Sequence, residues 1–382
     1  MREMKPGNWL LAAVLASVLA PAAGSAQGAR PAIDVDKARV VDFWTPERQR
    51  NATPRDLVID SRGLGYLRRA DGTLVPHGHN VPAEKGARAP TPMAKPGGSP
   101  TGGTIGSAEW TLGGVVQKAA GRLLFQMTDG YYVCSGTVVT DGTSGRSLIL
   151  TAAHCVYDDV YKAFATNVLF IPDQAHTTRR SKTDFDCSND PYGCWVPSFG
   201  VVDKNWTLRT FPDNIPWDYA FYVVSDTGAH SDGSFNPDGG PFAGNENDVL
   251  DVVAGSLQVS FANPSHDVAG SSDYTDALGY SYSSDPKFMY CAQDMTTNGS
   301  ANWWLGSCRL SGGSSGGPWV QNGTNSWTGG TDGKIISVNS WGYTVGAGMA
   351  GPKLAGTSAA CVFNTAKTAP MSTADGVDVV CP

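Results

Sequence analysis

The stretch Arg309-Leu310-Ser311-Gly312-Gly313-Ser314-Ser315-Gly316-Gly317-Pro318-Trp319 leaves the chain little choice of local structure. Glycine is entropically costly in a helix or strand, and proline removes a backbone donor, so neither element is expected through it. A tight loop with positive φ angles is expected instead, its amide N–H groups turned toward something bound. A serine on such a turn has the setting of a nucleophile, with neighbouring amides placed to stabilise an oxyanion. The plain alternative is a Gly/Ser linker. A histidine and a buried carboxylate elsewhere would decide between them.

Both are present, and their order is informative. Leu148-Ile149-Leu150-Thr151 reads as an apolar strand running into a small-residue corner, Ala152-Ala153, followed by His154 and Cys155. Asp218 heads a second apolar run, Tyr219-Ala220-Phe221-Tyr222-Val223-Val224. An acid there is expensive to bury without a partner. The chain order is thus His154, Asp218, Ser315. Gly313-x-Ser315-x-Gly317 also fits the nucleophile elbow of α/β-hydrolases, but that arrangement needs its histidine after the serine. The last histidine here is His266, so that reading fails.

The rest of the chain is consistent with an exported, turn-rich β protein. Of its 382 residues only 16% are charged, and the net charge of −7 argues against a nucleic-acid partner. No apolar run is long enough to span a bilayer, so no stable membrane anchor is expected. Residues 1–26 read as a signal peptide: Arg2 and Lys5, an apolar core from Trp9 to Ala20, and the small-residue site Gly24-Ser25-Ala26. Residues 27–83 mix charges with short apolar runs such as Asp56-Leu57-Val58-Ile59 and show no chemistry; a propeptide joined to the catalytic domain is the natural reading, and a retained accessory segment is the alternative. His77 and His79 there read as solvated. Residues 84–107 are rich in Pro, Gly, Ser and Thr and read as a flexible linker.

From Trp110 onward, short β-branched and aromatic runs alternate with turns. Strands are expected at 121–127, 131–134, 136–139, 167–172, 249–253, 257–261, 277–280 and 335–342. A long insertion from about 173 to 214 carries Asp184, Asp186 and Asp190, whose spacing matches no calcium loop and which read as surface acids. Asn51, Asn205, Asn298 and Asn322 begin Asn-x-Ser/Thr acceptor sequences.

The motifs together resemble the trypsin/chymotrypsin-like serine endopeptidases, particularly their secreted bacterial branch. Thr-Ala-Ala-His-Cys at 151–155 is similar to the family's histidine motif, and Gly313-Ser314-Ser315-Gly316-Gly317-Pro318 to its nucleophile motif except at one position. Ser340-Trp341-Gly342 is similar to the segment that lines the primary specificity pocket and pairs with substrate backbone. The resemblance spans roughly 108–366 and does not cover the N-terminal region. It implies an all-β fold of two packed six-stranded antiparallel barrels, about 108–235 and 236–366, with a C-terminal tail at 367–382.

The same resemblance implies a catalytic triad of His154, Asp218 and Ser315, an oxyanion hole from the Gly313 and Ser315 amides, and protein or peptide substrates. No cofactor or metal is called for, and a monomer is expected. Ser314 stands where vertebrate relatives carry an aspartate that pairs with a newly freed N-terminus, so that activation device is absent. Ser311 replaces a pocket cysteine. Counting six residues back from Ser315 puts Arg309 at the floor of the primary pocket, where a guanidinium would favour an acidic side chain, while a rearranged loop would send it to solvent. Either way a preference for Lys or Arg is not expected.

Eight cysteines in an exported chain read as disulfides, and no CxxC pair or histidine cluster supports zinc. The resemblance supports Cys134–Cys155; proximity suggests Cys187–Cys194, Cys291–Cys308 and Cys361–Cys381. A non-catalytic binding protein on the same fold and an esterase using the same triad are the competing functions.

Overall fold

The computed structural model describes Met1 and residues 33–83, 103–181, 184, 186–231, 249–264, 274–321 and 333–382. The expected signal peptide beyond Met1, residues 84–102 of the linker and Asn322 lie outside the described residues. Every element discussed here belongs to the unit Pro31–Pro382.

The fold class is the expected one: all-β, with curled, mostly antiparallel sheets and few helices. The largest sheet is built around the hairpin Ala120–Met127 and Gly130–Val139, closed tightly at Met127 and Gly130. Arg146–Thr151 and Ala220–Ser225 extend it on one side, followed by Phe199–Asp203 and Gly376–Val379. Leu148, Ile149 and Leu150 are all fully buried, which explains why this strand reads as an unbroken apolar run. A second sheet orders Lys334–Val338, Pro318–Gln321, Tyr274–Gly279, Met289–Asp294 and Ile105–Glu109. A third orders Thr296–Asn298, Asn302–Leu305, Met349–Pro352, Trp341–Tyr343, Asp56–Ile59, Gly65–Arg68 and Leu74–Pro76.

Four disulfides join Cys134–Cys155, Cys187–Cys194, Cys291–Cys308 and Cys361–Cys381. The last ties the tail strand to the helix Ala359–Thr368.

Several local expectations are corrected. The stretch 249–253 is a helical turn over Leu250–Val253, with Val252 exposed. Its backbone is held by Val253 and Ala254 amides donating to Val249 and Leu250 carbonyls, while the Ser147 hydroxyl accepts from the Asp251 amide. Leu257 and Val259 make only isolated bridges. The runs 131–134 and 136–139 form one strand, Gly130–Val139. His77 is buried rather than solvated, its Nε2–H 2.8 Å from Asp159 Oδ1. Asp190 is also buried, although Asp184 and Asp186 are exposed. Burial pushes its carboxyl up to about 7, against the pull of Arg179 and Arg122.

The N-terminal region is woven into the same sheets: Thr53–Pro54 pairs in parallel with Tyr132–Val133, and Asp56–Ile59 pairs in parallel with Trp341–Tyr343. Both stretches therefore sit inside the sheets that carry the candidate site.

Candidate active site

The register of two strands brings the histidine and the aspartate together. Thr151 pairs with Ala220 at one end of Arg146–Thr151 and Ala220–Ser225. The chain leaves Thr151 through Ala152 into a 3-10 turn, Ala153–Cys155, which swings His154 back over that end. The Cys134–Cys155 disulfide pins the turn to the neighbouring strand. Asp218, two residues before Ala220, then accepts twice from the histidine: Oδ1 from the His154 amide at 2.9 Å and Oδ2 from Nδ1–H at 2.8 Å. Both residues are buried. Because a carboxylate only accepts, Nδ1 carries the proton and the neutral ring keeps its lone pair on Nε2. Among the described residues Nε2 has no hydrogen-bond partner.

Ser315 arrives from the second half of the chain on the expected tight loop. Gly313 lies at φ +93° and Gly316 at φ +79°, and a Cβ on Gly316 would collide with the Thr151 hydroxyl. Two residues that sequence reading passes over hold this loop. The Asn339 amide group donates to the Leu278 and Ser314 carbonyls at 2.7 and 2.9 Å and accepts from the Trp319 indole at 2.8 Å. The Ser135 amide donates to the Ser315 carbonyl at 2.7 Å, and its hydroxyl donates to the Gly313 carbonyl at 2.9 Å. Cys155 Sγ lies 3.9 Å from that same Ser315 carbonyl, so the loop abuts the histidine turn.

Among the described residues neither the Gly313 nor the Ser315 amide donates a hydrogen bond. They are the two donors an oxyanion would need. Ser314 is turned back into its own loop, its hydroxyl donating to Ser311 at 2.9 Å. The Ser315 hydroxyl instead faces the Arg55 carbonyl oxygen at 3.5 Å.

Ser340, Trp341 and Gly342 lie along the edge of this site. The Ser340 hydroxyl donates to Asp218 Oδ2, giving the carboxylate a third donor. Trp341 and Gly342 pair with Leu57 and Val58. Arg309 is exposed, with its amide donating to Gly106 at 2.7 Å. It lines a cavity of about 460 Å3 shared with Asp56, Arg68, Gly342 and Tyr343. Asp56 ion-pairs with Arg68 at 3.6 Å. Burial raises the Asp56 carboxyl, with Arg68 and His154 pulling the other way. Arg55 and Asp56 were invisible as site residues in the sequence, where nothing marks the stretch except its short apolar run.

One group of three candidate metal ligands occurs among the described residues, Cys134, His154 and Cys155. Both sulfurs are in one disulfide, so only the imidazole is available as a ligand.

Neither a protein-family model nor a curated protein matches the chain. Among solved structures it is similar to the protease Anisep from Arthrobacter nicotinovorans, at 26% identity over 65% of this chain and 95% of that one, with a TM-score of 0.47. It is similar also to the thermostable serine protease AL20 from an extremophilic microorganism, at 25% identity over 67% and 100%, with a TM-score of 0.49. A third similar structure is a scabies mite inactivated protease paralogue, at 13% identity over 68% and 99%, with a TM-score of 0.43.

Proposed function

We propose that the chain is a secreted serine endopeptidase working through an acyl-enzyme. The supporting observation is His154, which donates its amide and Nδ1–H to buried Asp218, the second bond holding the ring in one tautomer and leaving Nε2 without a hydrogen-bond partner among the described residues. Ser315 Oγ attacks the scissile carbonyl carbon while its proton passes to Nε2. The oxyanion takes the unused Gly313 and Ser315 N–H groups, worth roughly 3–4 kcal/mol per donor. The C–N bond then breaks as Nε2–H protonates the leaving amine, and water repeats the relay to release the acid. Asp218 orients the ring and stabilises its cationic form throughout. Four disulfides fit an oxidising, exported setting.

The test is covalent labelling with a fluorophosphonate alongside hydrolysis of a peptide library. Label on Ser315 that is lost in Ser315→Ala and kept in Ser314→Ala is the expected result, with cleavage not concentrated after Lys or Arg. Label retained by Ser315→Ala and lost in Ser314→Ala would overturn the assignment.

A further inference from the structure

The cleft that should receive substrate is filled by the chain's own residues 53–59. Leu57, Val58 and Ile59 pair with Trp341, Gly342 and Tyr343, and the Thr344 amide donates to the Ile59 carbonyl at 3.0 Å. Leu57 and Val58 are fully buried. Pro54 and Asp56 press against Gly312 so closely that a Cβ there would lie 2.6 and 2.7 Å from theirs. Between them the Arg55 carbonyl meets the nucleophile.

Arg55 anchors the segment. Its guanidinium is fully buried, 3.6 Å from Asp158 and 3.7 Å from Asp159, and its carbon lies 5.2 Å from the Tyr132 ring centre. His77, from the same N-terminal region, closes on Asp159 at 2.8 Å. Asp159 is held in turn by the Phe211 amide at 2.7 Å and the Asn214 side chain at 3.0 Å.

The way the segment lies makes it a poor substrate. For acyl transfer the carbonyl carbon must face Oγ, and its oxygen must point at the Gly313 and Ser315 amides. Here the Arg55 oxygen faces Oγ at 3.5 Å, those amides are unused, and no hydrogen bond joins Ser315 to His154 Nε2. The bond is presented the wrong way round, so the segment occupies the site without being cut by it.

We infer that residues 53–59 are a built-in inhibitor that keeps the intact chain latent until the segment is displaced. This rests on the serine endopeptidase reading above. The experiment compares fluorophosphonate labelling rates of the full-length chain with those of full-length Val58→Pro, which removes a backbone donor from the docked strand, and Arg55→Ala, which removes the anchor. Near-UV circular dichroism checks that each variant is folded. Intact chain labelling at Ser315 at least 10-fold more slowly than a folded variant is the expected result.

Intact chain labelling to completion within minutes, as an open site would, overturns the inference and leaves the protease reading standing. So does equally slow labelling in folded variants whose strand has been released, judged by hydrogen exchange at 57–59. If Ser315 labels in no form, including nicked or loosened chain, the protease reading falls and takes this inference with it.

Discussion

Asp218 receives three donors, two from His154 and one from the Ser340 hydroxyl, and the last is the one whose removal can be read most cleanly. A hydrogen bond to a charged group contributes about 1.5–3 kcal/mol. Ser340→Ala is therefore expected to lower kcat/KM by about 10- to 100-fold, chiefly through kcat, in a form whose cleft is open. A variant with unchanged kcat and raised KM would place Ser340 on the substrate instead. Sequence reading locates Ser340 in a substrate-lining motif, but a motif fixes position along the chain and not which way a short side chain points. His154, Asp218 and Ser315 are legible because each needs an unusual local setting: a small-residue corner, an acid at the head of an apolar strand, and a glycine turn. Asn339 and Ser135 are not legible. Their work consists of hydrogen bonds to carbonyls distant in sequence, and neither residue type is rare.

The strand Asp56–Ile59 shows what an element's sequence withholds. Its apolar run announces a strand, but nothing in four residues names Trp341–Tyr343 as the partner or gives a parallel pairing. The same holds for Val249–Val253, whose alternation suits a strand although the backbone closes into a helical turn. Asp159 touches the N-terminal region at two points, His77 and Arg55. Burial alone would raise its carboxyl, but His77, Arg55 and the Phe211 amide more than offset this and hold it well below the usual carboxylate range. A folded value below the unfolded one contributes stability that is complete above about pH 4, the ordinary carboxylate range, and is lost as pH falls below it. Hydrogen-exchange protection of residues 57–59 is thus expected to be steady from neutral pH down to about 4 and to drop below that. In Asp159→Asn the protection should be weak at neutral pH and lose its acid dependence. Protection that is unchanged in this variant would show that Asp159 does not hold the segment.

At the scale of the whole molecule, three segments far apart in sequence converge: the turn after Arg146–Thr151, the lead-in to Ala220–Ser225, and the glycine loop before Pro318–Gln321. The first two meet through strand register; the third is fastened by Ser135 and Asn339 and lies against the Cys155 sulfur. The all-β class and the catalytic candidates follow from turn chemistry, strand patterning and motif resemblance. The placement of the N-terminal region does not, since it is decided by contacts across chain separations from 82 residues, His77 to Asp159, up to 260, Arg55 to Ser315. If Ser315, His154 and Asp218 work as one unit, their effects on turnover cannot add. The decisive measurement is kcat/KM on a peptide substrate for Ser315→Ala, His154→Ala and the double variant, each in an open-cleft background such as Val58→Pro. Each single variant should lose nearly all turnover, and the double variant should be little worse than either. Losses that multiply, or substantial turnover in Ser315→Ala, would contradict the account.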